Sequence, residues 1–244
     1  MSSILTNNSA MVALQTLKGI NSNLAKTQDE ISTGKKVANA QHNAAVWAIS
    51  KVMETDQSSF KTIQSNLNLG EAVVTTARTG GEKVQKLLDE MKQLAAGGAS
   101  DANDWATINS QIVAKKDQIT AIVNATQMNG VNLLKTNPIA GQTDFSVLAS
   151  IDRTAGNAVT AKVSITVASV DFEADIAGAT VTAVTSRTTA QTALTEIEAL
   201  LTIAKDGVAQ LGTAAKRIND QSNFVADLAD SLKTGIGALV DADM

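Results

Sequence analysis

The chain has 244 residues, enough for one or two domains with a sizeable core, and a mild net charge of −4 that offers no basic face to nucleic acid. It has no cysteine, which excludes disulfides and thiolate metal sites, and no apolar run of the about 18 residues that a membrane span needs. Aromatic residues make up 2% and there is one proline, Pro138, so Ala, Val, Leu and Ile must pack the narrow seams between long unbroken helices.

Residues 3–33 are predicted to form the first helix, with Met11, Leu14, Leu17, Leu24 and Ile31 on one stripe. Asn7, Asn8, Asn21 and Asn23 lower its propensity, and no neighbouring segment offers a surface to cover it. The opening residues lack the basic and apolar pattern of a cleavable secretion signal, so export would take another route. "STGKK" at 32–36 lacks the spacing of a phosphate-binding loop and reads as a turn between helices.

Next comes a long heptad-like seam: Val46, Ile49, Met53, Phe60, Ile63, Leu67, Val74, Ala77, Val84, Leu88 and Met91, interrupted at Asp56, Gly70 and Gly81. Gly97 and Gly98 in "AAGGASDAND" are predicted to end this rod, with Asp101 or Asn103 capping the next helix. That helix places Trp105, Ile108, Ile112, Ile119 and Ile122 on one face, and the short connection makes an antiparallel hairpin.

The period then changes. "VTAKVSITV" (159–167) alternates as a half-buried strand, with "DFSVLAS" and "ATVTAVTS" as partner strands and "DRTAGN" and "DIAG" as turns. A second rod follows, with Leu194, Ile197, Leu201, Ala204, Val208, Leu211, Ala215, Ile218, Val225, Ala229, Leu232, Ile236 and Leu239 in register and only Ser222 breaking it. The expected fold is mainly α with a small β subdomain, an elongated antiparallel long-helix bundle. Residues 1–40 would form a terminal helix and its connector, 41–138 a helical hairpin, 139–187 the β subdomain and 188–244 the last long helix.

No catalytic constellation emerges. His42 is the single histidine, too few for a His-rich zinc site, and carboxylates such as Asp89, Glu90, Glu196 and Glu198 read as solvated helix charge. No cofactor is expected. The Ser/Thr content of the β region reads as strand and turn chemistry rather than as sites for O-linked sugar.

Three stretches in order resemble bacterial flagellin: "ISTGKKVANAQHNAAVWAIS" (31–50), "TQMNGVNLL" (126–134) and "SLKTGIGALVDADM" (231–244). The resemblance implies a structural filament subunit, with an inner domain of paired terminal helices and an outer helical domain carrying a small β subdomain. It implies assembly through the Met11–Ile31 stripe. It also implies a spoke and hinge at Gly34, Asn39, Trp47, Gly235, Gly237 and Asp241, and a turn at Asn129 and Gly130. Phe60, Ile63, Leu67, Leu88, Met91, Trp105, Ile112, Ile119, Leu211, Ile218, Val225 and Leu232 are the expected intramolecular packing positions. The implied partners are other subunits, hook-associated junction and cap proteins, the flagellar type III export apparatus and a flagellin chaperone, with no nucleic acid or membrane.

By the same resemblance, Met244 falls at a hinge, and the chain reads as a fragment lacking a C-terminal helix. Met128 stands where the family usually has Phe. Glu90 and Lys92 stand where the family's immune-receptor patch carries Arg; losing a guanidinium and reversing a charge would weaken that interface. The alternatives are a hook-filament junction protein of the same family and, from another class, a cytoplasmic coiled-coil signalling or adaptor module.

Overall fold

The computed structural model describes residues 7–100, 104–153 and 159–243. In chain order these form α1 (Asn8–Thr33), α2 (Ala44–Gly98), α3 (Trp105–Ala125), β1 (Asp144–Arg153), β2 (Val159–Ala168), a π-helical turn (Glu173–Ala177) and α4 (Arg187–Val240). Side chains set the helix boundaries. The Asn7 side chain accepts the Ala10 N–H at the start of α1, and Gly34, in the left-handed conformation at φ 66°, ends it. The Asn43 Oδ1 accepts the Val46 N–H as α2 begins. Asp104 caps α3; Asp101 and Asn103, the expected caps, lie outside the described residues.

The chain divides into two units, Met1–Lys61 with Ala226–Met244, and Thr62–Val225. Within the second, α2 and α4 run antiparallel: Glu71 meets Asn219, Gly81 meets Val208 and Lys92 meets Glu198. Ile63, Leu67, Val74, Ala77, Val84, Leu88 and Met91 of α2 are buried, as are Ile197, Leu201, Ala204, Leu211, Ile218 and Val225 of α4. Burying each large aliphatic side chain stabilises the fold by about 1.5–3 kcal/mol. Ile112, Ile119 and Val123 add the buried face of α3. In this unit the heptad spacing and the observed seam coincide along α2; on α4 the expected Leu194, Val208 and Ala215 are only half-buried, and their neighbours Ala193, Gly207 and Ala214 take the buried positions. Ser222 does not break it: it is buried, its hydroxyl 2.8 Å from the Asn68 side-chain oxygen, so the polar position is satisfied inside the seam.

The glycines read as interruptions are notches. A Cβ on Gly70 would stand 2.6 Å from a Val147 methyl, so Gly70 seats the β hairpin. Phe172, 1% exposed, enters between Gly81 of α2 and Gly207 of α4, where a Gly207 Cβ would stand 2.5 Å from its ring. Only glycine allows that approach.

Strands β1 and β2 form an antiparallel pair with Phe145 opposite Val167 and Val147 opposite Ile165. Ile165 and Val167 are buried as the alternation requires, yet Val163 is 50% exposed. The ladder shifts between Leu148 and Ser150, opposite Val163, a bulge that interrupts the regular pairing at this point. The carbonyl of Ala149, at the shift, accepts from the Gln221 side chain at 3.0 Å.

Three expectations are corrected. "ATVTAVTS" (179–186) is no strand: the Thr182 N–H and hydroxyl go to the Glu196 carboxylate and the Val184 N–H to Asn109, so side chains satisfy backbone groups that a ladder would need. "DIAG" lies in and just after the π-helical turn, not in a hairpin turn between strands. Ile49 and Leu239 leave the expected seams, at 54% and 39% exposed, while their neighbours Ser50 and Val240 are buried. Of the "DRTAGN" turn, residues 154–157 lie outside the described residues.

In the first unit, the segment after α1 is pinned to the end of α4. Val240 O accepts from the Lys36 and Val37 N–H groups at 2.7 and 3.2 Å, and the Ala242 N–H donates to Gly34 O at 3.0 Å. Val37 and Val240 are both buried at this clasp.

Candidate assembly surface

Helix α1 is held together mainly by local interactions. Its Asn7 cap, the Thr16 and Thr27 hydroxyls bonded back to Val12 O and Asn23 O, and the Lys26–Glu30 pair hold one turn to the next. None of its residues is buried. Met11, Leu14, Leu17, Leu24 and Ile31 are each 55–64% exposed, and Val12 and Ile20 are equally bare. A row of large apolar side chains on one helix, all facing water, is the signature of an interaction face.

The expected spoke residues fall into two groups. Gly34 ends α1, and its carbonyl takes part in the clasp. The Asn39 Oδ1 accepts the Gln41 and His42 N–H groups at 2.9 and 3.3 Å, closing a turn before α2, and Asp241 pairs with Lys35 in an isolated β-bridge. Trp47 is half-buried in the first turn of α2. By contrast, Gly235 and Gly237 lie inside α4, which runs without a break to Val240. Gly235 faces Met53, whose Cε a Cβ there would meet at 3.0 Å. His42 sets Nε2 3.8 Å from an Asp29 oxygen of α1.

Asn129 and Gly130, at φ 51° and 78°, form a two-residue turn closed by the Met128 and Val131 backbone groups at 3.0 Å in both directions. Trp105 is half-buried, its indole N–H donating to Gly98 O at 2.9 Å across the α2–α3 turn, and Leu232 is half-buried too. Glu90 pairs with Lys115 of α3, and that hydrogen bond holds its carboxyl below the usual range. Lys92 pairs with Glu198 of α4 at 2.9 Å. Among the described residues, no three His, Asp or Glu side chains gather where a metal ion would be held, and no helix is long and apolar enough to cross a membrane.

Sequence reasoning missed the Phe172 wedge and the Val37–Val240 clasp. An isolated Phe in an irregular stretch carries no period. The available signals were two glycines on the helices it enters between: Gly81, visible as an interruption of the α2 seam, and Gly207, at a buried position of an otherwise Ala- and Leu-lined helix.

The fold and this bare helix define a class: a helical structural protein whose first helix has its apolar face outside its own core. The model of the bacterial flagellin N-terminal helical region matches residues 4–138. The chain is 36% identical over 251 aligned residues to a flagellin of Brucella melitensis, covering all of this chain and 87% of that protein. It is 32% identical to flagellin FljK of Caulobacter vibrioides, covering all of this chain and 86% of that one. Flagellin of Bacillus cereus shares the fold, with a TM-score of 0.56 and 23% identity over 66% of this chain and 88% of the other. The chain belongs to the bacterial flagellin family. It is a structural subunit of the extracellular flagellar filament.

Proposed function

We propose that this short flagellin joins its filament through the Met11–Ile31 stripe of α1, and that residues 1–40 act as the inner element of the subunit, with 41–138, 139–187 and 188–244 as its outer part. One observation carries the reading: α1 is complete, capped at both ends, and buries nothing of its own. A helix of 26 residues with that face in water gains its stabilisation only on meeting a partner. The clasp between residues 34–37 and 240–242 supports the spoke assignment, because it fixes where α1 leaves the rest of its unit.

In the same reading, the subunit passes through the flagellar type III export apparatus with a flagellin chaperone. It is added beneath the cap protein and begins on hook-associated junction proteins. It acts by assembly and not as an enzyme. Glu90 and Lys92 stand where the immune-receptor patch would carry Arg and are paired within the chain to Lys115 and Glu198, so the mammalian flagellin receptor responds weakly; a reporter-cell assay with full-strength activation would refute that.

The test of assembly is Leu14→Asp with Leu17→Asp in a host deleted for its own flagellins. The expected result is secreted, folded monomer with no filament by electron microscopy and no swimming. Normal filaments from that variant would refute the role given to α1.

A further inference from the structure

We infer that the groove between α2 and α3, edged by Lys83 and Lys86, docks the acidic corner of a second copy of this chain, the corner that carries Asp144 and Asp175. The inference rests on the filament reading and adds to it a place and a charge pattern for one contact between subunits.

The groove is lined by Thr79, Gly80, Lys83, Ile122 and Ala125 and continues along the same two helices past Lys86. Its lining is half threonine (Thr75, Thr76, Thr79 and Thr126), with Ile122 and Ala125 as its aliphatic part, and its edge is cationic. Lys83 and Lys86 are exposed and, among the described residues, neither makes an ion pair. Of the acids on this stretch, Glu82 is held by Arg78 and Glu90 by Lys115, with Lys86 acting on Glu90 electrostatically; Asp89 makes no ion pair among the described residues. Lys83 and Lys86 therefore leave a small positive excess here in a chain whose net charge is −4.

The acidic corner holds the opposite excess. Glu173 pairs with Lys135 at 3.1 Å, and Asp171 accepts the Thr136 hydroxyl at 2.6 Å and the Ala174 N–H at 3.0 Å. Asp144 and Asp175 are exposed and make no ion pair among the described residues. Ser169 ties the two ends of the corner together by donating toward the carbonyls of Thr136 and Thr143.

One copy cannot satisfy both surfaces by itself. Gly81 faces Phe172, beside the corner, and a residue two positions along a helix lies about 200° further round. Lys83 accordingly points to the other side of α2. A cationic groove on one side and an acidic corner on the other make a heterologous contact, the kind that propagates as an open polymer. Like-charged subunits repel, so matched patches of opposite sign set register and exclude other arrangements.

Zero-length carbodiimide cross-linking of unmodified filaments, read by mass spectrometry, tests this directly. The expected products join Lys83 or Lys86 to Asp144 or Asp175 in filaments and are missing from monomers. The intramolecular Lys115–Glu90 link, present in both, is the positive control. Recovery of the control without the intersubunit products would overturn the inference.

The second arm compares Lys83→Glu with Lys86→Glu, Asp144→Lys with Asp175→Lys, and all four changes together. Each pair is expected to raise the critical concentration for assembly about tenfold and the combination to restore it; thermal melting of the monomers checks that each folds. A combination no better than either pair, or pairs that assemble like the unmodified chain, would overturn it. If the unmodified native protein forms no filament under the microscope, the filament reading falls first and this one with it.

Discussion

Helices α1 and α3 make an instructive pair. Both are capped by a side-chain oxygen, and both carry large aliphatic residues at helical spacing. In α3, Ile112, Ile119 and Val123 are 4% exposed or less, while in α1 no apolar residue of the stripe is under 55%. Identical residue types therefore serve two ends: the stability of the monomer, and an association yet to be made. Periodicity says that a face is apolar. It does not say which molecule will cover it.

The comparison is broken most forcefully in the core. Leu88→Ala removes a side chain with no exposure, and should cost about 2–5 kcal/mol in thermal or denaturant unfolding of the monomer. Gly207→Ala forces a methyl into the Phe172 ring and should cost about 1–3 kcal/mol. Pairing it with Phe172→Leu should recover part of the loss, since the smaller side chain vacates the notch. An unchanged melting temperature for Gly207→Ala would show that the wedge is not held as described.

On α1, Leu14→Ala with Leu17→Ala should leave monomer stability within about 0.5 kcal/mol, because both side chains are more than half exposed. The same variant should assemble poorly, seen by sedimentation under polymerising conditions. A large fall in monomer stability would mean that α1 already belongs to the core.

The smallest effect concerns pH. The Thr107 hydroxyl, followed by the Thr107 N–H, hydrogen-bonds the Asp104 carboxylate and lowers its pKa. A group depressed in this way contributes stability above its ordinary unfolded value and loses it as pH falls through the folded value. Acidification through the low end of the carboxylate range should therefore loosen the first turn of α3, visible as faster exchange of the Thr107 amide. Asp104→Asn, which keeps an acceptor without the charge, should flatten that dependence.

Much of this was legible in the sequence where one period governs a long stretch. The α2 seam from Phe60 to Met91 and most of the α4 seam from Ile197 to Val225 follow from alternating steps of three and four, because a helix of constant pitch keeps such residues on one side; at Val208 and Ala215 the buried position moves to Gly207 and Ala214. The hairpin strand at 159–168 followed from strict alternation. Residues 179–186 did not, because β-branched composition alone cannot tell a ladder from a chain whose amides are taken by Glu196 and Asn109. Gly70 and Gly81 could be seen as departures from the pattern and Gly207 was not, and what fills each notch comes from far along the chain. The α1 stripe was visible as a stripe. Its exposure was inferred only from the lack of a nearby partner segment, and its role in assembly came through family resemblance.

Hydrogen exchange, compared between monomer and filament, bears most directly on the central claim that α1 is stabilised by assembly and not by its own chain. Amides of residues 8–33 should exchange rapidly in the monomer and become strongly protected in the filament, while those of α3 stay protected in both. Protection of α1 in the isolated monomer equal to that of α3, or no gain for α1 on polymerisation, would contradict the account.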